Sequence, residues 1–183
     1  MQTFRVHIGI DFGGNGSKHS FVAIGILPEY SGVIALTSQR IEPYGMDADY
    51  LGNAFMLFAE TVFAKYGEIL AVYCDSAEQV LIQHLRSTAK RSKLSWLSER
   101  IHNSKKIEIN DRIRLTSILM GGGRFFYLPT AETLRDALCA ALWSDKNATK
   151  DIRLDDGTTD IDTLDAFEYT IERYYNTFLK RGA

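Results

Sequence analysis

Several kinds of segment are missing from this chain, and each absence narrows what it can be. No apolar run approaches the ~18 residues that a membrane-spanning helix needs, so no transmembrane helix is expected. The N-terminus has no succession of basic, apolar and small residues, so no secretory signal is expected. There are only two cysteines, Cys74 and Cys139, far apart and without metal-ligand spacing. That argues against a thiolate metal site or a disulfide framework, and for a reduced, intracellular protein. Gly-x-x-x-x-Gly-Lys-Ser/Thr occurs nowhere, and Gly121-Gly-Gly-Arg124 lacks the Lys-Ser/Thr of a phosphate loop. No linker, internal repeat or low-complexity tract divides the chain, so residues 1–183 are expected to form a single domain.

Net charge is −2, but the charges are segregated. Between Arg86 and Lys106 stand seven basic residues (Arg86, Lys90, Arg91, Lys93, Arg100, Lys105, Lys106) against Glu99 alone. Between Asp151 and Asp165 stand six aspartates against Arg153. Each run alone is equally well a solvated face. Together they suit a protein that grips a polyanion with one region and concentrates cations with another.

The stretch that organises the rest is Arg5-Val-His-Ile-Gly-Ile-Asp-Phe-Gly-Gly-Asn-Gly16. Its alternation puts Val6, Ile8, Ile10 and Phe12 on one face of a strand and His7, Gly9 and Asp11 on the other. Ser17–Leu27 and Val33–Glu42 read as two more strands; the short connections imply an antiparallel meander. Asp47 is placed to cap a helix to Tyr66, with Leu51, Phe55, Phe58 and Val62 on its apolar stripe and Gly67 at its end.

Ile69–Cys74 is a continuous apolar run, as in a strand buried on both faces. Asp75 follows at once. Ser76-Ala-Glu-Gln79 has capping-box form, predicting a helix from there to about Lys90 with Ser76 as its cap. Asp75 thus stands at the carboxyl end of a central strand, the edge where open α/β sheets bind ligands.

A short strand is expected at Leu94–Trp96. Ile107–Met120 fits either a helix with Ile109, Ile113, Thr116 and Met120 on one face or, at its start, an extended segment. Phe125–Leu128 reads as a strand. Pro129 and Thr130 introduce a helix through Trp143 with Leu134, Leu138 and Ala141 inward. Residues 144–159 suit an exposed hairpin or loop. A last helix, about Asp160–Leu179, buries Leu164, Phe167, Ile171, Tyr174 and Phe178, and its Asp162 and Asp165 share a face at i, i+3.

If the first and fourth strands are neighbours, Asp11 and Asp75 meet at one sheet edge, and the last helix can add Asp162 and Asp165. Crowded carboxylates repel unless cations sit among them, and hard oxygen donors select Mg2+ or Mn2+. Two such ions about 4 Å apart can activate water and stabilise the leaving oxygen in phosphodiester cleavage.

Three segments together resemble one family. Ile8-Gly-Ile-Asp11 opening a meander, Tyr73-Cys-Asp75-Ser-Ala-Glu78 between strand and helix, and Asp162-Thr-Leu-Asp165-Ala-Phe-Glu-Tyr169 opening the last helix look like the acidic motifs of the nuclease domain of viral DNA-packaging terminase large subunits, chiefly those of tailed bacteriophages. The resemblance implies an α/β ribonuclease H-like fold: a mixed sheet of five or more strands in order 3-2-1-4-5, the first three antiparallel, with helices on both faces. It implies a divalent-metal-dependent DNA endonuclease that cuts concatemeric double-stranded viral DNA during packaging, using two Mg2+ or Mn2+ ions. By that match Asp11, Asp75 and Asp165 are catalytic metal ligands and Asp162 is auxiliary. Lys90, Arg91, Lys93, Lys105 and Lys106 are candidate DNA contacts.

The implied partners are double-stranded DNA, the packaging ATPase domain (unmatched in this chain), the small terminase subunit and the portal, with no membrane. The implied place is the host cytoplasm at the procapsid, and the isolated domain is expected to be monomeric. One departure stands out: Glu168 occupies a position where the family often has Arg.

Three other readings share parts of this pattern. Ile8-Gly-Ile-Asp-Phe-Gly-Gly14 also resembles the first phosphate motif of actin- and sugar-kinase-like ATP-binding domains. A resolvase or transposase core would share the fold. A non-catalytic DNA-binding module would use the basic 86–106 segment alone.

Overall fold

The computed structural model describes residues 4–13, 17–42, 47–142, 153–154 and 159–181. The N-terminal alternation forms β1 (Arg5–Asp11), which pairs antiparallel with β2 (His19–Ile26); β2 pairs antiparallel with β3 (Val33–Ile41). The expected meander is therefore present. After α1 (Ala48–Tyr66) the chain returns as β4 (Ile69–Cys74), parallel to β1 on its other side. Asp47 caps α1 by accepting the Tyr50 amide at 2.8 Å, and Gly67 ends it at φ 86°.

From β4 the chain passes through α2 (Gln79–Lys90), a 3-10 helix over Ser95–Arg100, and β5 (Ile101–Asn103), which adds parallel to β4. Then come α3 (Ile109–Gly121) and β6 (Phe125–Tyr127), parallel to β3 at the far edge. A 3-10 turn, Pro129–Ala131, leads into α4 (Glu132–Ala140). The chain closes with α5 (Ile161–Ile171), a 3-10 turn over Glu172–Tyr174, and α6 (Tyr175–Lys180).

The six strands lie in order β5-β4-β1-β2-β3-β6. That is the expected five-strand order with β6 added beyond β3. Two cores flank the sheet. Val6, Ile8, Ile10 and Phe12 pack with Leu51, Phe55, Phe58 and Val62 of α1 and with Ile82 and Leu85 of α2. On the other face Val22, Ile24, Ile26, Val33 and Ala35 pack with Leu115 and Leu119 of α3, Leu134 of α4, Leu164 and Phe167 of α5 and Phe178 of α6.

Five expectations need correction. Leu94–Trp96 is not a strand: Leu94 precedes a 3-10 helix that begins at Ser95, and the fifth strand is Ile101–Asn103. Leu97, fully buried in that helix, anchors it on the α1–α2 core. Ser76 does not cap α2, which starts at Gln79 with no side-chain cap. Asp75 itself accepts the Ala77 amide at 2.9 Å, closing a turn before the helix.

The inward face of α3 is Arg112, Leu115, Thr116 and Leu119, rotated from the expected one, and Met120 is exposed. An arginine points inward because buried carboxylates await it. The fourth helix stops at Ala140, where Ala141 turns extended (φ −64°, ψ 124°) and is exposed; residue 143 lies outside the described residues. Finally, the last helix is broken at Glu172. Most of the expected loop 144–159 lies outside the described residues, but Arg153 within it is buried.

Candidate metal centre

The parallel pairing of β1 and β4 puts both carboxyl ends at one edge of the sheet. The Asp75 amide donates to the Ile10 carbonyl at 2.9 Å, tying Asp75 beside Asp11. Helix α5 crosses the same edge at very short range. A Cβ at Gly9 would fall 1.7 Å from the Ala166 carbonyl oxygen, so only glycine lets the helix backbone lie on β1. Ala166 follows Asp165 directly, and Asp162 lies one turn earlier. Asp160 caps the helix by accepting the Thr163 amide at 3.2 Å, and Arg40 holds Asp160 from β3 at 3.0 Å.

The electrostatics show that these carboxylates share one space. Asp11 is buried, and its carboxyl is pushed up from the ordinary carboxylate range to about 8. Burial is the largest cause, followed by Asp165, Asp75 and Asp162; a hydrogen bond from Tyr169 works the other way. The Tyr169 hydroxyl donates to Asp11 Oδ1 at 3.2 Å, and burial followed by Asp11, Asp165 and Asp75 holds its phenol far above the normal range. Tyr169 therefore stays protonated and steers one oxygen of Asp11.

Each outer carboxylate meets a donor from the protein. Lys106 Nζ stands 2.5 Å from Asp75 Oδ1. Asp165 Oδ1 takes Nη1 of Arg112 and Nη1 of Arg153, both at 3.1 Å. Asp162 Oδ2 accepts the Lys18 amide at 2.7 Å. Behind Asp165, buried Glu168 pairs with Arg153 and, at 3.4 Å, with Arg112. Two arginines and two carboxylates thus form a closed, charge-balanced quartet, which is how buried charge is tolerated. Burial raises the Glu168 carboxyl to about 7 while Arg153 holds it down, Asp165 raises it and Arg112 holds it down.

Asp11 thus feels the charges of the other three predicted carboxylates, Asp165, Asp75 and Asp162. Among the described residues no three His, Cys, Asp or Glu side chains close into a ligand set. The donors suit Mg2+ or Mn2+ in kind: all are hard oxygens, brought from three elements to one edge.

The predicted basic residues divide. Lys105 and Lys106 lie in the loop after β5; the Lys106 ammonium meets Asp75, and the Lys105 amide donates to Glu172. Lys90, Arg91 and Lys93 lie at or beyond the last residue of α2, ~18 Å of helix from Gln79. Sequence reasoning missed Arg112, Arg153, Tyr169 and Lys18 as parts of the site. Two left a faint signal: Arg153 is the lone cation in an aspartate run, and Tyr169 sits one turn after Asp165.

The topology is that of a ribonuclease H-like α/β fold. Within that class, the chain has the fold of large-terminase nuclease domains. It is similar to the g2p large terminase nuclease domain of bacteriophage SPP1 with bound Mn (TM-score 0.65, 15% identity, 94% of this chain and 88% of that one). It is similar to the nuclease of thermophilic phage G20c with bound magnesium (TM-score 0.61, 14% identity, 94% and 83%). It is also similar to the large terminase of a second thermophilic bacteriophage (TM-score 0.72, 16% identity, 98% of this chain), spanning 40% of that protein's length. No protein-family model matches the sequence, and no curated protein does.

Proposed function

We propose that this chain is the metal-dependent nuclease domain of a large terminase, hydrolysing phosphodiester bonds of double-stranded DNA during genome packaging. The observation that carries this reading is the gathering of Asp11, Asp75, Asp162 and Asp165 at one sheet edge, where burial and then the other three carboxylates push Asp11 up to about 8. Solved structures of the same fold with Mn and magnesium bound support it. The resolvase, transposase and ATP-binding readings draw no support from these likenesses.

In this reading Asp11, Asp75 and Asp165 hold two Mg2+ or Mn2+ ions, with Asp162 as an auxiliary ligand. Ions held there would supply water activation and Lewis acidity toward the leaving oxygen. The protein's own part is positional. Tyr169 orients Asp11, the Arg112–Arg153–Glu168 group sets Asp165, and α5 lies close enough on Gly9 to keep all three carboxylates in one space. Lys105 and Lys106 extend this edge toward phosphates, and the more distant Lys90, Arg91 and Lys93 offer a second, non-specific hold on the duplex.

In the whole packaging assembly the partners would be the ATPase domain, the small terminase subunit and the portal, at the procapsid in the infected cell. Supercoiled plasmid incubated with the purified protein and Mg2+ or Mn2+ should be nicked and then linearised, with little sequence preference. Intact plasmid at every protein and ion concentration would refute the nuclease reading.

A further inference from the structure

Glu172 is the residue at which α5 gives way to a 3-10 turn, and it is buried. Among the described residues no ion pair reaches it. Its carboxylate instead accepts three successive backbone amides: Lys105 at 2.5 Å and Lys106 at 3.0 Å on Oε1, and Ile107 at 3.1 Å on Oε2. Consecutive amides converging on one anion form a backbone nest, and here the anion is the protein's own.

The clamped segment contains a backbone outlier. Lys106 has φ 49°, a conformation a lysine rarely adopts and that persists only when its surroundings impose it. Two anchors impose it: Glu172 on the three amides, and the Ser104 amide on the Cys74 carbonyl at 2.7 Å. The result is that the Lys106 ammonium stands 2.5 Å from Asp75. Asp165 lies in α5, two turns before Glu172, which directly follows that helix. One stretch of chain therefore carries a candidate ligand and the clamp on the lysine that faces another.

We infer that Glu172 is a positioning residue of this centre: it fixes the Lys105–Ile107 backbone so that Lys106 stands against Asp75 and competes there with a divalent ion. The inference rests on the nuclease reading and goes beyond it. It makes ion occupancy an exchange against a tethered ammonium, set by a carboxylate that touches neither ion nor DNA.

The test is a Mn2+ titration of thermal melting, repeated as the Mn2+ concentration for half-maximal plasmid cleavage. Removing one unit charge beside the ion should lower both midpoints about tenfold in Lys106→Gln. Lys106→Gly should do the same while melting no lower than Lys106→Gln in EDTA, because at the same lost charge glycine accepts the positive φ. Glu172→Gln should release the loop and lower both midpoints toward the Lys106→Gln value. The double variant should go no further than Lys106→Gln. If Glu172→Gln does not fold, Glu172→Asp, one methylene too short to span three amides, carries the same expectation.

A Glu172 variant that melts lower but keeps the parent's Mn2+ midpoint would make Glu172 a structural residue only and overturn the inference. Unchanged midpoints in both Lys106 variants would overturn it too, leaving the nuclease reading intact. A parent whose melting and cleavage both ignore Mn2+ would bring down the nuclease reading, and this inference with it.

Discussion

β1 serves two different interiors. Toward α1 and α2 it sends Val6, Ile8 and Ile10, with Phe12 just beyond, into a dry core with Phe55 and Phe58, where stability follows from buried apolar area and close packing. Toward α5 it sends His7, Gly9 and Asp11. There His7 is buried with neither ring nitrogen hydrogen-bonded among the described residues, Gly9 admits the helix backbone, and Asp11 lies beside other carboxylates. The first face supplies stability; the second spends some of it to hold charge where water is scarce. Substitutions on the two faces should therefore separate folding from chemistry.

The largest separation is expected at the carboxylates. Asp11→Asn, Asp75→Asn and Asp165→Asn should each cut plasmid cleavage more than ~100-fold, beyond what loss of an outer-shell partner costs, and Asp162→Asn should cut it less. Asp11→Asn should also melt higher than the parent in EDTA at pH 7. A carboxyl raised to about 8 is destabilising once pH exceeds its unfolded value, and the amide removes that cost. On the other face, Phe55→Ala should cost about 3–5 kcal/mol by denaturant melting while cleavage per folded molecule stays near the parent's.

His7 offers a smaller, pH-dependent contrast. Burial, then Arg5, lowers its imidazole to about 4, with Tyr73 stacked on it and Tyr174 edge-on. The unfolded chain then binds the extra proton first, so stability should fall as pH drops from about 6.5 to about 4, by about 3 kcal/mol in all. His7→Phe keeps an aromatic ring there and should flatten that slope in melting curves at pH 4–7.

Gly9→Ala should cost about 1–3 kcal/mol through overpacking. Because α5 must lift off β1, it should also reduce cleavage, whereas Phe55→Ala should not. The smallest effect is expected for Lys90→Ala, Arg91→Ala and Lys93→Ala combined. DNA binding should weaken uniformly across sequences and its salt dependence should flatten, with cleavage of saturating DNA little changed.

What the sequence made legible was whatever repeats locally. The period-two pattern from Val6 to Phe12, the apolar run before Asp75 and the i, i+3 aspartates of α5 each carry their structure within a few residues. From these follow the meander and the candidate carboxylates, whereas the sheet order is what the family resemblance implies. The counter-charges carry no such signal. Arg112 meets Asp165 across 53 residues of sequence, and Glu172 meets the Lys106 amide across 66. β5 was misplaced because Ile-His-Asn is too short and polar to stand out, while apolar Leu94 and Trp96 nearby flank the start of a 3-10 helix. The buried face of α3 was misread because an inward arginine makes sense only once Asp165 and Glu168 are known to wait for it.

The central claim is that one sheet edge gathers these carboxylates to hold divalent ions. A crystal structure of the protein with Mn2+ tests it most directly. The account predicts Mn2+ between Asp11, Asp75 and Asp165, with Lys106 moved off Asp75. Crystals at saturating Mn2+ with no ion on these residues, and Lys106 still paired with Asp75, would contradict it.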